Sequence, residues 1–166
     1  MSVSLPFDIE TAALASIPVQ EWARRGLATV HPAHAERVEA LNPTDARRAA
    51  RWLCRAPLYD SWPSGTFAFR QQVTFRLSEH CWRTETGGAE AQAWLAARGI
   101  PFGQAVCAIH DPRHVLRLPW KLVARYWADL WWRGGHGALV LDPTQQWALR
   151  MHHEDALVFG THRSDR

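Results

Sequence analysis

Lysine is almost missing from this chain. Of 19 basic residues one, Lys121, is lysine and the other 18 are arginine. Residues 1–60 hold seven basic and seven acidic side chains, residues 61–120 six and four, and residues 121–166 six and five. The net charge of +3 therefore has no pole, and neither a lysine-rich arm nor a basic tail is present to track nucleic acid. Cysteine is scarce too. Cys54, Cys81 and Cys107 are far apart and form no CxxC pair. That pattern excludes a disulfide framework or a cysteine-built zinc site and fits reduced intracellular thiols. Nowhere do eighteen apolar residues run uninterrupted, which excludes a spanning helix and any membrane partner of that kind. The first residues reach Asp8 and Glu10 with no basic segment before them, unlike a secretory signal, so a cytoplasmic location is expected. Gly-rich phosphate loops, GxSxG elbows and SxxK motifs are absent. No cofactor is expected, and an enzymatic reading has no anchor.

What is present is tryptophan, ten in 166 residues, within a chain that is 47% hydrophobic and 21% charged. Such a length and balance fit one folded domain, residues 1–166, with no repeat or linker to divide it. Trp is favoured both in cores and at interfaces, so its placement decides what the excess means.

Pro18 opens a short helix through Trp22 and Ala23, and Pro32 to Leu41 reads as a second. Asn42, Pro43 and Asp45 then give a strong start signal, and a third helix is expected to about Arg55. Its Ala46, Ala49, Ala50 and Leu53 fall on one face. From Phe67 to Ser78 apolar and polar residues alternate with period two, the pattern of a half-buried strand. Gly87 and Gly88 are expected to end that region. Ala89 to Arg98 reads as a helix with Ala91, Trp94 and Leu95 inward, closed by Gly99. Gln104–Ile109 and Val115–Leu118 read as strands about a turn at Asp111 and Pro112. Pro119 opens an aromatic-rich helix to about Trp132, on which Lys121, Arg125 and Asp129 form a narrow polar stripe and Arg125 can pair with Asp129. Strands at 137–141, 146–152 and 156–160 complete a three-stranded meander. The fold class expected is α+β: N-terminal helices, then a mostly antiparallel sheet with helices packed on one face.

Three clusters compete as functional sites. Arg47, Arg48, Arg51 and Arg55 share a face of the third helix beside Trp52, either a solvated surface or an anion-binding stripe with an aromatic neighbour. His110 and His114 have the spacing of a zinc pair on a helix, but Pro112 between them argues against a helix, and no HExxH glutamate follows. His152 and His153 are neighbours on a strand, so they point to opposite faces and cannot share an ion without a bulge. Among the tryptophans, Trp94, Trp120, Trp127 and Trp131 fall on faces that a core should bury. Trp52 and Trp132 remain as candidates for contact with a partner.

The C-terminal part has a further shape. Tyr126 and Trp127 lead to the Ala138–Asp142 strand, Trp147 leads to Met151, His152, His153, Glu154 and Asp155, and Val158, Phe159 and Gly160 follow. This resembles the tail of small bacterial immunity-type proteins encoded beside polymorphic toxins. Residues 1–100 lie outside the resemblance. It implies no catalytic residue and a cognate toxin as partner; no metal is expected. The expectation is therefore a non-enzymatic bacterial protein-binding domain that occludes a toxin's active site. Its contacts would be Arg47, Arg48, Arg51, Trp52 and Trp132, with His153, Glu154 and Asp155 at a rim. Two alternatives stand beside it: a nucleic-acid-binding module using the Arg47–Arg55 face, and a metal-dependent hydrolase using His110, His114 and His153. The oligomeric state is left open.

Overall fold

The computed structural model describes residues 5, 7, 11–13, 30–54, 71–77, 85–132, 138–152 and 156–161, with backbone alone at 11–13, 85–87, 131–132 and 152. Within these, eight strands form one fully antiparallel sheet: β1 (Thr11–Ala13), β2 (Glu39–Leu41), β3 (Gln71–Arg76), β4 (Ala105–Asp111), β5 (His114–Pro119), β6 (Ala138–Leu141), β7 (Trp147–His152) and β8 (Ala156–Thr161). Their order across the sheet is β1-β2-β5-β4-β6-β7-β8-β3. Helices α1 (Pro32–Ala35), α2 (Pro43–Leu53), α3 (Glu85–Ala96), α4 (Trp120–Arg125) and α5 (Trp127–Trp132) complete the described elements. The class is the expected α+β, and the closing meander β6-β7-β8 lies where its alternation and turns placed it. No helix among the described residues is long and apolar enough to cross a membrane.

The helices do not share one face of the sheet, as had been expected. Alternate residues of the central strands feed two separate cores. Val106, Ala108, Leu116, Leu118, Val140 and Leu149 pack with Ala91 and Leu95 of α3 and with α4. Cys107, Ile109, Val115, Leu139, Leu141 and Ala148 pack with Ala46, Ala49, Ala50 and Leu53 of α2. A central strand in this sheet is buried on both sides, which is why β6 reads as the unbroken apolar run Ala138–Leu141 rather than as an alternation.

Local signals and tertiary demands agree at α2. Asn42 Oδ1 accepts from the backbone N–H groups of Thr44 and Asp45 at 3.0 and 2.9 Å, and Pro43 takes the first helical position, where no N–H is needed. At Pro32–Leu41 they disagree, and the expected helix stops at Ala35. Glu39 and Ala40 instead pair with Arg117 and Leu116 of β5, Arg117 Nη1 donates to Glu39 Oε2 at 3.0 Å, and Ala40 and Leu41 become core. A ladder bond, an ion pair and two buried side chains outweigh a weak helical preference. Gly87 and Gly88 lie inside α3 instead of ending the preceding segment. Gly99 closes α3 with φ +76°, a conformation suited to glycine.

Two further expectations change. β3 is an edge strand, and its apolar face is covered only in part. Val73 is 46% exposed, Phe75 touches Trp94 with ring centroids 5.6 Å apart, and Leu77 is buried. The expected positions 67–70 and 78 of that strand, and the helix opened by Pro18, lie outside the described residues. The single helix expected from Pro119 to Trp132 is broken at Tyr126, where φ −112° and ψ 25° leave the helical region. The break frees the Arg125 carbonyl, which accepts from Gln92 Nε2 of α3 at 2.9 Å. The expected pair between Arg125 and Asp129 does not form among the described residues, and the Arg125 guanidinium lies 5.7 Å from the Tyr126 ring centroid instead.

The tryptophans largely follow their faces. Trp120 and Trp127 are buried, Trp94 is partly so, and Trp131 is described by its backbone alone. Trp147 joins Trp120 edge-on at 5.4 Å and stacks on Phe159 at 5.6 Å, an aromatic column through the larger core.

Candidate functional site: an arginine face on α2

The apolar face of α2 fixes what its other face does. With Ala46, Ala49, Ala50 and Leu53 against the sheet, Arg47, Arg48 and Arg51 are turned outward and exposed. None of the three forms an ion pair among the described residues. Arg48 stacks on Phe7, its guanidinium carbon 4.1 Å from the ring centroid, which holds a flexible side chain against an apolar plate while its donors stay free.

Trp52 stands at the border of this face. It is half-buried rather than displayed. Phe7 meets it edge-on at 6.4 Å, and both pack on the smaller core together with Leu5 and Cys54. Its carbonyl accepts from Gln145 Nε2 at 3.0 Å. Gln145 lies in the β6–β7 turn with φ 56°, an uncommon backbone state for a residue with a Cβ. The same turn is anchored from below by Asp142. That carboxylate is 1% exposed, yet it accepts from Gln104 Nε2, from the Thr144 hydroxyl and, at 3.0 Å, from the Thr144 N–H. A buried carboxylate so supplied with donors is a structural post for the turn that grips the end of α2.

Of the other expected contact residues, Trp132 is described by its backbone alone, and His153, Glu154, Asp155 and Arg55 lie outside the described residues. The histidine pair is placed. His110 ends the buried run of β4, and burial, opposed by Asp111 and assisted by His114, depresses its pKa to about 4. The ring is therefore neutral at neutral pH. His114 lies across the hairpin turn, with Nδ1 against the Asp111 carboxylate. Burial pushes the Asp111 pKa up, but the N–H of Arg113, donating at 2.6 Å, and His114 outweigh it and leave the pKa lowered. The segment is a turn between two strands, not a helix, and no group of three potential metal ligands occurs among the described residues. Both described thiols are raised by burial, Cys54 to about 11 and Cys107 to about 12, so neither is a nucleophile at neutral pH.

Sequence reasoning passed over a second cluster. His34 of α1 and Tyr126, 92 positions apart, meet with Nδ1 and Oη 2.8 Å from each other. The cations Arg125, Lys121 and Arg37 act electrostatically on His34, and the Arg125 guanidinium lies 5.7 Å from the Tyr126 ring centroid. The His31 and His34 spacing and the Lys121–Arg125 stripe were visible in the chain, but nothing local says that the two segments touch.

Comparison with known protein families, curated protein sequences and solved structures finds no match.

Proposed function

We propose that this chain is a non-enzymatic binding domain that docks the α2 face onto an acidic surface of a partner protein, as an immunity protein does in occluding a toxin. The observation that carries this reading is the row Arg47, Arg48 and Arg51, exposed and without ion pairs among the described residues, on a helix locked to the sheet by its opposite face. Arginine is the cation enriched at protein interfaces, where lysine is depleted, and its planar fork matches carboxylates two bonds at a time. Trp52 and Phe7 supply an apolar border that excludes water from such pairs. The C-terminal resemblance to immunity-type proteins supplies the class of partner.

The reading expects a toxin domain encoded by the neighbouring gene, a neighbour without one overturns it, and the test is co-expression with that domain. The reading expects a 1:1 complex and restored growth of the expressing cells, both lost on Arg47→Glu with Arg51→Glu. A toxin that remains active in the presence of this chain, or is neutralised equally by the double variant, overturns it. Binding of a single-stranded oligonucleotide instead, falling steeply with salt, would assign the same face to nucleic acid.

A further inference from the structure

A basic cluster stands on the side of the sheet opposite α2. We propose that His31, His34, Arg37, Lys121 and Arg125, gathered around Tyr126, bind a phosphate group, either as the free ion or as the terminal group of a small phosphomonoester.

Two segments far apart in the chain build this cluster. The His31 N–H donates to Tyr126 Oη at 3.4 Å, and His34 Nδ1 lies 2.8 Å from the same oxygen. The rings of His31 and His34 are 5.6 Å apart, those of His34 and Tyr126 are 5.8 Å apart, and the Arg125 guanidinium lies 5.7 Å from the Tyr126 ring centroid. The charged groups that bear on His34 are Arg125, His31, Lys121 and Arg37, all basic. His31, Arg37, Lys121 and Arg125 are exposed, and no carboxylate pairs with any of them among the described residues. Glu36, the acidic neighbour of Arg37 in the chain, is exposed and makes no ion pair here.

Hydrogen-bond accounting gives the cluster a direction. Tyr126 Oη accepts from the His31 N–H and can donate its own proton to His34 Nδ1. Burial, together with the cations around it, favours the neutral His34 ring; in the tautomer that accepts the Tyr126 proton at Nδ1, its one proton sits on Nε2. The cluster thus offers one imidazole N–H, a guanidinium fork on each of Arg37 and Arg125 and the Lys121 ammonium. This donor set is suited to the oxygens of a doubly charged anion. The His31, His34 and Tyr126 rings and the Arg125 guanidinium follow one another at 5.6–5.8 Å, a compact cluster, whereas single-stranded nucleic acid needs a basic groove that continues along several nucleotides. Among the described residues no carboxylate is paired with the cluster, and the role proposed for it is binding. The break in the helix falls at Tyr126, the residue that meets His34 of α1, and Gln92 Nε2 takes up the Arg125 carbonyl beside it.

The experiment is an NMR titration of the histidine ring signals with inorganic phosphate, at ionic strength held constant with sodium chloride, repeated with O-phosphoserine. Saturable shifts of the His31 and His34 rings are expected. Phosphate affinity should weaken about tenfold or more in Lys121→Gln with Arg125→Gln, the loss of two charge-assisted contacts. It should be unchanged in Arg47→Gln with Arg51→Gln, which removes two of the three cations of the other basic face. The cluster variants replace exposed side chains, and an unaltered thermal midpoint confirms their fold; Arg37→Gln serves as an independent variant and should also weaken binding. Tighter binding of O-phosphoserine assigns a phosphomonoester, and equal binding assigns the free ion. Shifts that rise linearly without saturation, or that persist undiminished in the cluster variants, overturn the proposal.

Discussion

Asn42 controls the helix that presents the arginine face, and replacing it isolates one local interaction. Its Oδ1 accepts from the N–H groups of Thr44 and Asp45, and its Nδ2 donates to Asp45 Oδ2 at 3.0 Å. Asn42→Ala removes all three bonds. The Thr44 N–H is exposed and water replaces its partner, whereas that of Asp45 is part-buried and is served less well. The expected cost is about 1–2 kcal/mol, which in a chain of this size lowers the thermal midpoint by roughly 2–4 °C per kcal/mol. Asn42→Ser keeps an acceptor and should lose no more than about 0.5 kcal/mol. Asn42→Asp keeps the acceptors and gains from the helix dipole, but it sets a second carboxylate against Asp45, so it should be least stable at low salt. Urea unfolding with an unchanged denaturant slope is the assay. If the alanine variant matches the wild type, α2 is held by packing alone and the capping argument is wrong.

Other predictions follow from the two cores, the glycine closure and the buried histidine. Leu53 and Leu95 are both fully buried, on opposite sides of the sheet. Alanine at either should cost about 2–5 kcal/mol, and in the double variant the two costs should add within about 0.5 kcal/mol by denaturant titration; a larger coupling would contradict separate cores. Gly99→Ala meets no atom within 4 Å, so its penalty is conformational, about 1–2 kcal/mol from the positive φ, and a neutral result would mean that the turn relaxes. His110 is expected to make stability depend on pH. Its folded pKa of about 4 lies below the 6.5 of a free histidine, so the unfolded chain binds the proton first. Stability is complete above about pH 6.5 and falls as pH drops toward 4, by roughly 2–3 kcal/mol. His110→Phe should flatten that part of the unfolding profile, and an identical pH dependence in the variant would refute the assignment.

The parts of the fold legible in the chain are those governed by neighbours. Asn42-Pro43 announces α2, Gly99 ends α3, and the turns at Asp111-Pro112 and Asp142-Pro143 divide the strands correctly because each rests on a backbone requirement within a few residues. The parts that were not legible depend on distant contacts. Glu39 to Leu41 become a strand only because β5 offers its edge. The helix after Pro119 breaks where Tyr126 reaches His34 and Gln92 takes up the released carbonyl. Helices on both faces follow from strand order, which no local pattern encodes. The site divides in the same way. The arginine face could be read from helical spacing alone, and Trp52 was identified as its neighbour, but Phe7, which partly buries Trp52 and seats Arg48, comes from 45 residues upstream of Trp52. The His34–Tyr126 pair carries no mark in either segment.

If Arg47, Arg48 and Arg51 form the contact surface for an acidic partner, calorimetry decides it: a toxin domain that the wild-type chain neutralises is titrated with that chain and with the triple charge reversal Arg47→Glu, Arg48→Glu, Arg51→Glu. Arginines that pair with carboxylates at the centre of an interface contribute about 2 kcal/mol or more each, so the account predicts at least a hundredfold loss of affinity with the thermal midpoint of the chain preserved. An affinity that survives the triple reversal unchanged would contradict it.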